Sequence, residues 1–450
     1  MNNSGMQENS PEAAGNSQSI LGKVANADAL KGFKSTEDAF GMKALENVRS
    51  ANSDSSSQNK PLIRLQDPEH LDPAVTDFKT EQEVWNKIEE VKKEQGQAGV
   101  SSLYPRKWKR ILPKNESSDE TQHTFSVLQF NVLAEGLSSG PTVTTPFQID
   151  TGDQTDSRGG NNYGGFVGTK NPELVLDFVH RRWRILEVLL TTHDENNNPG
   201  EGGCRERYNI MAVEEMDRYY GFFMPILKLF GYNGLFIPKE RAPGTKLGWY
   251  SDGCGLFWSD KMFELVSEEK RGFNVGNQVF LIVVLRHRVS DKLIIVAVTH
   301  LKAQDNEANE QIRIAQVTEL LQHIDTVSNS IGSTFEDIPV LIMGDFNSAP
   351  SLVDDKPSTV GCILDRNEGN KYDSSYSLND EGFYTTWKTR GDKTTQRVID
   401  YIFFNGPRCN SLECMNILDV PSVEDVAPDV LPNLRYPSDH VMIAAKFKLS

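Results

Sequence analysis

The chain of 450 residues carries 63 acidic against 47 basic side chains, a formal charge of −16. An acidic chain is repelled by polyphosphates at long range and reaches phosphate only through a local basic patch or a metal, which excludes nucleic-acid binding driven by net charge. Hydrophobic residues make up 38% of the chain, below the usual globular share, so part of it is expected not to pack.

Residues 1–60 are rich in Ser, Asn, Gly, Glu and Gln and read as a disordered tail. Their start has no basic region followed by an apolar core, as a secretory signal requires. No apolar run anywhere approaches the length of a membrane span, so no membrane partner is expected. The cysteines Cys204, Cys254, Cys362, Cys409 and Cys414 are odd in number and none shows C-x-x-C spacing. Free thiols in a reducing compartment follow, and a cytoplasmic protein is expected, an organelle remaining open. Residues 61–120 form a lead-in. Within it Phe78, Val84, Ile88 and Val91 recur at near-helical spacing and predict a surface helix over 74–95. The basic, aromatic run LYPRKWKRILPKN after it either packs on the next domain or touches a phosphate backbone.

From residue 121 onward one catalytic domain is expected. FSVLQFNVLA predicts a strand, LVLDFVHRRWRILEVLLTT a helix, YNIMAVEEM a strand and FFMPILKLFGY a helix. GLFIPKE, GCGLFWS, VFLIVVLRHR, LIIVAVTHL, VLIMGDFN, VIDYIFFN and VMIAAKFKL predict further strands, with a long helix over DNEANEQIRIAQVTELLQHIDTV. This α/β pattern predicts two mainly antiparallel sheets packed face to face with helices outside. A Gly-, Thr- and Asn-rich insertion at 138–172 follows the first strand, either a lid or a passive loop.

Several strands end on chemistry-bearing residues. Asn131 ends the first, Glu215 ends IMAVEEM, His300 ends IIVAVTH, and Asp345 and Asn347 end LIMGDFN. Asp400 begins IDYIFF, and Asp439 and His440 precede the last strand. Singly, each has an ordinary explanation: strand-terminal Asn and Asp start turns, and a lone His is commonly a packed core residue. Together they form an acidic, amide-rich set with two histidines and no cysteine. Such hard oxygen donors suit magnesium or manganese rather than zinc, and point to phosphoester hydrolysis. Strand alternation predicts that Asp345 and Asn347 share one side and face one phosphate.

The motifs LQFNVLA, EEMD, THLKA, GDFN, IDYIFF and YPSDH, in this order, resemble the endonuclease/exonuclease/phosphatase superfamily. FIPKE, SDGCGLFW and TTWKTR add a resemblance to its nocturnin-like, deadenylase-like branch, from about Phe125 to the carboxyl terminus. The resemblance implies a four-layer α/β sandwich with one active site at the strand ends. It implies that Glu215 binds Mg²⁺ (or Mn²⁺), with Asn131 and Asp439 completing the shell. Asp345 would position and deprotonate the attacking water, and Asn347 would orient the phosphate. His440, oriented by Asp400, would act in acid–base chemistry, and His300 would donate to a phosphoryl oxygen. In one place the chain departs from the family, which usually has Gln-Glu where this chain has Glu214-Glu215.

The same resemblance implies that basic residues grip the diphosphate of NADP(H) while the 2′-phosphate is removed. Lys239, Lys302 and Arg390 match those positions. Gln304 replaces a fourth basic residue found in some members, with Arg313 or Arg241 as candidate substitutes. A 3′→5′ exoribonuclease acting on the 3′ end of poly(A) RNA, recruited by an accessory protein, is the alternative. It would use Trp249, Tyr250 and Phe257 to stack bases, although KLGWYSDGCGLFW reads equally as a turn feeding a buried strand. An inactive partner-binding scaffold is the third reading, and the filled set of polar positions speaks against it.

Overall fold

The computed structural model describes residues 72, 75, 77–111, 123–140, 143, 145–147, 163–193, 207–332, 338–350, 357–364, 372–378, 380–406, 409 and 411–449. The expected tail at 1–60, parts of the lead-in and the middle of the insertion lie outside the described residues.

Among the described residues, fifteen strands run in chain order: β1 (Trp108–Arg110), β2 (Thr124–Asn131), β3 (Ile210–Met216), β4 (Tyr232–Pro238), β5 (Gly253–Ser259), β6 (Phe263–Gly272), β7 (Val279–His287), β8 (Leu293–His300), β9 (Val340–Asp345), β10 (Asp373–Ser374), β11 (Thr386–Arg390), β12 (Lys393–Arg397), β13 (Asp400–Phe404), β14 (Leu412–Leu418) and β15 (Ile443–Leu449). The longer helices are α1 (Glu81–Gly96), α2 (Phe178–Leu190) and α3 (Glu307–Ser330). One sheet has the order β1-β14-β15-β2-β3-β5-β4 and the other β10-β13-β9-β8-β7-β6, while β11 and β12 form a separate hairpin. Most pairs are antiparallel, as expected. The parallel exceptions are β2–β3 and β8–β9, each joined through a helical crossover.

Period-two alternation builds the layers. In β7, Leu281, Val283 and Leu285 enter the core between the sheets with Val127, Ala212, Leu256, Val298 and Met343. The intervening Phe280, Ile282 and Val284 pack outward with Val317, Leu320 and Ile324 of α3. The opposite face of the seven-stranded sheet is covered by α1 and α2, through Val84, Ile88, Trp183 and Leu186. Each fully buried aliphatic side chain stabilises by roughly 1.5–3 kcal/mol, so the two sheets and their helices form a rigid frame. The lead-in belongs to this frame: α1 begins with a capping box at Thr80 and Glu83, and β1 extends the seven-stranded sheet beside β14.

The backbones crowd closely where β8 and β9 lie parallel. A Cβ added at Gly344 would sit 2.0 Å from the Thr299 carbonyl oxygen. Gly344→Ala should therefore separate the two strands that deliver His300 and Asp345, lowering stability by about 1–3 kcal/mol. Urea unfolding of the variant checks this.

Strands β1, β6, β10, β11, β12 and β14 escape the sequence reading. The edge strand β6 carries Glu264, Glu268, Glu269, Lys270 and Arg271 and is mostly exposed, as suits an unpaired sheet edge. It therefore lacks the apolar run that marks its neighbours.

Candidate active site

The carboxyl ends of β2, β3, β8 and β9 meet the start of β13 at one end of the two sheets. Asn131 of β2 lies at the centre. Its Nδ2 donates to Asp345 Oδ2 at 2.9 Å and to Glu215 Oε1 at 3.2 Å. The Ala134 amide donates to the other Glu215 oxygen at 3.1 Å. Glu215 reaches this position through a bulge in β3, where the pairing with β5 slips between Glu214 and Met216 and Glu215 takes a φ of 55°. The bulge parts the neighbouring glutamates: Glu215 lines the cavity, and Glu214 is buried beneath it.

Asp345 is where the set converges. His300 Nε2 lies 3.6 Å and His440 Nε2 3.8 Å from Asp345 Oδ2. The Asn347 amide donates to Asp345 Oδ1 at 2.9 Å, closing an Asx turn. Burial, reinforced by the Asp400 carboxylate paired across β9 and β13, pushes Asp345 up to about 7. The histidines are driven in opposite directions. Burial works against charge on His440, but Asp400, 2.9 Å from Nδ1, holds it up at about 9. Burial and the nearby Lys239 ammonium hold His300 well below the usual histidine value. The pocket thus presents a cationic imidazole, a neutral imidazole and a carboxylate poised near neutrality, a division of labour suited to acid–base chemistry.

Beneath the floor, Gln129 Nε2 donates to Glu214 Oε2 at 2.7 Å and to Asp400 Oδ1 at 2.9 Å. Burial and Asp400 push the Glu214 carboxyl well above its ordinary value, and its Oε1 is left without a partner. The departure from the family pattern therefore acts on Asp400 through Gln129, not on substrate directly.

One wall of the cavity, which measures about 440 Å³, is the β11–β12 hairpin. Its register places Arg390 opposite Lys393, Lys388 opposite Thr395 and Thr386 opposite Arg397. All six line the cavity, as period two requires for one face. The hairpin is stapled to the YPSDH segment by a Thr386–His440 bridge and by the Trp387 amide donating to the Asp439 carbonyl at 3.2 Å. The far end of the insertion docks on the same hairpin: Phe166 bridges to Arg390, whose guanidinium lies 4.3 Å from the Phe166 ring centre.

Glu215, His300, Asp345, Asn347, His440, Lys239, Lys302 and Arg390 all line the cavity. Asn131 and Asp400 lie buried behind them, in contact with Asp345 and His440 respectively. Asn347 arrives by a different route from that expected. Strand β9 ends at Asp345, and Asn347 takes a φ of 51° in the turn, with Nδ2 donating to the Leu301 carbonyl at 3.2 Å. Asp439 is ion-paired: Lys388 Nζ sits 2.5 Å from its Oδ2 and Arg390 Nη2 3.5 Å away. Against the effect of burial, these cations and His440 hold its carboxyl well below the ordinary value. Arg313 does not join the lining. Its guanidinium is committed to Glu310 and to the Lys302 and Gln304 carbonyls, latching the loop after β8. Tyr250 and Phe257 are buried, and Trp249 lines the cavity while only 1% exposed, so these rings offer no open stacking face. The sequence reading missed Lys388, Lys393, Arg397 and Gln129. The alternation of TWKTR would have revealed Lys388, two residues before Arg390 on the same face.

The oxygen-rich donor set fits a hard divalent cation. Asp345, Asp400 and His440 each place a possible ligand atom within 4.8 Å of one another. Of these, His440 already has Nδ1 engaged by Asp400, whereas Glu215 fronts the cavity with a carboxylate held by two donors.

A profile of the Endonuclease/Exonuclease/phosphatase family matches residues 128–440. Human nocturnin is 26% identical over 409 residues, spanning 90% of this chain and 80% of that protein. The yeast CCR4-Not complex 3′-5′-exoribonuclease subunit Ccr4 is 24% identical over 373 residues, 74% of this chain and 39% of that one. Among solved structures, the human nocturnin catalytic domain with bound sulfate superposes with a TM-score of 0.53 at 24% identity, covering 77% of this chain and 97% of that one. ANGEL2, a 2′,3′-cyclic phosphatase in complex with adenosine-2′,3′-vanadate, gives 0.54 at 20%, covering 77% and 99%. At these identities the superpositions speak to the fold, the expected α/β sandwich.

Proposed function

The chain belongs to the endonuclease/exonuclease/phosphatase family, and from that premise we propose that it removes the 2′-phosphate of NADP(H) in a magnesium-dependent hydrolysis. The observation that carries this reading is the hairpin face: Lys388, Arg390, Lys393 and Arg397 line one wall of an otherwise acid-floored cavity in a chain of charge −16. With Lys302 they form a local basic patch, in which Lys388 and Arg390 share the Asp439 carboxylate and Arg397 faces Asp305. A volume near 440 Å³ falls in the range of small-molecule sites.

Glu215 would hold the cation, with Asn131 fixing its carboxylate. Asp439 is the weaker candidate for the shell, because Lys388 already neutralises it. The cation would supply charge neutralisation on the phosphoryl oxygens. Asp345 accepts the proton of the attacking water. His300 and His440 both aim Nε2 toward the same point and stabilise charge that builds on the phosphoryl group. Asp400 keeps His440 protonated and oriented. Asn347, locked by its turn, lines the cavity and would meet the substrate through its side chain.

The test runs NADPH and a labelled oligoadenylate in parallel with Mg²⁺, Mn²⁺ or chelator, using the protein and Glu215→Gln. Phosphate release from NADPH that needs the metal, and falls by about 10²-fold or more in the variant, is expected. Shortening of the oligomer without phosphate release would replace this reading with the exoribonuclease one. Activity unchanged by the chelator and by Glu215→Gln would overturn both.

A further inference from the structure

We propose that Lys239 is a positioning residue: together with Asp252 it fixes His300 in the Nε2–H tautomer, so that the imidazole offers a donor to the phosphate. The inference rests on the hydrolase reading and reassigns a residue that the sequence places among the phosphate ligands.

The observations begin in the backbone. Strands β4 and β5 are antiparallel, with Pro238 opposite Gly253. The next residues along, Lys239 and Asp252, continue the pairing, with the Lys239 amide donating to the Asp252 carbonyl at 2.9 Å. Ser251 Oγ donates to the Lys239 carbonyl at 2.6 Å. A Cβ at Gly253 would lie 2.0 Å from the Ile237 carbonyl oxygen, so the strands approach more closely there than any side chain allows. The stem of Lys239 is therefore anchored on both sides.

Its ammonium is equally committed. Nζ lies 2.5 Å from Asp252 Oδ2 and 3.4 Å from His300 Nδ1, and both charged side chains are almost fully buried. An ammonium has three donors and no acceptor, so the contact with Nδ1 requires a lone pair on that nitrogen. The imidazole proton then resides on Nε2, the nitrogen that faces Asp345. A proton on both nitrogens would set Nδ1–H against the ammonium. With Asp252 already balancing its charge, Lys239 adds little attraction for a phosphate, whereas its effect on His300 is direct. A phosphate ligand acts on KM, and a tautomer anchor acts on kcat.

The test is long-range ¹H–¹⁵N NMR of the full chain labelled at histidine, with His300 assigned by the signal lost in His300→Gln. The expected result is an unprotonated Nδ1 and a protonated Nε2 in the unsubstituted protein. An Nδ1–H tautomer or a doubly protonated ring would overturn the proposal without any variant. In Lys239→Met the Nδ1–H population should rise, and kcat on NADPH should fall by up to about 10²-fold with KM unchanged. Lys239→Arg, which also presents only donors, should restore the tautomer and part of kcat. A raised KM with kcat intact in Lys239→Met would return Lys239 to substrate binding. The resonance is read without substrate, so the tautomer stands or falls independently of which phosphoester is cleaved.

Discussion

Asp345→Ala is expected to lower kcat/KM for phosphoester hydrolysis by about 10²–10⁴-fold while the protein remains folded. The carboxylate is the point on which Asn131, the Asn347 amide and both histidine Nε2 atoms converge. The burial that suits it to the proposed role of base also makes it a burden on the fold. Its folded value of about 7 lies above the ordinary 3.8, because burial and Asp400 oppose its charge. A raised acid contributes stability that is complete below its unfolded value and is lost as pH rises through the folded one. In chelated protein, the variant should therefore gain stability relative to the unsubstituted chain between about pH 4 and about pH 8. Thermal melts at the two pH values, beside a phosphate-release assay, decide this. Retained turnover would remove Asp345 from the chemistry, and parallel melts would show that its charge is not opposed by the site.

Much of the site could be read from the chain because the sheets are built from continuous apolar runs. LIIVAVTH buries every residue of its strand after Leu293 and VLIMGD buries all of its own, so the polar residue that closes each run marks where the frame stops. The same logic located Asn131, Glu215 and Asp400. It failed where placement depends on a departure from strand geometry. The bulge that separates Glu214 from Glu215 and the left-handed turn at Asn347 are decisions of local backbone pairing that alternation does not encode. It failed also for charged residues, whose type says little about their partners. Lys239 and Arg313 look alike as phosphate ligands in sequence. In the fold one is spent on Asp252 and His300, the other on Glu310 and two carbonyls. Conversely, Lys393 and Arg397 lie on a short polar hairpin with no apolar run to mark it, yet its register turns them onto the cavity wall.

Asp400→Asn should cost about as much as loss of the general base, since removing the orienting carboxylate behind a catalytic histidine lowers kcat by about 10⁴-fold in serine proteases. Here the consequence extends to charge. Asp400 lies 2.9 Å from His440 Nδ1 and raises His440 to about 9, against a buried environment that would lower it. A histidine raised above its unfolded value of 6.5 contributes stability that is fully present below that value and disappears as pH rises through about 9. The unsubstituted protein should therefore lose both stability and turnover across that window, as His440 surrenders the proton that makes it a cationic donor. In Asp400→Asn the stronger counter-charge is gone, and burial and Lys388 act on the ring against Asp345 only. The alkaline fall in kcat should then move to a lower pH, and the stability change between 6.5 and about 9 should flatten. A pH–kcat profile of both proteins, with chemical denaturation at the same pH values, measures the two effects separately. An alkaline limb that stays in place would mean that the protonated imidazole contributes nothing to phosphoester cleavage. A flattened stability profile with an unmoved limb would confine Asp400 to holding the fold.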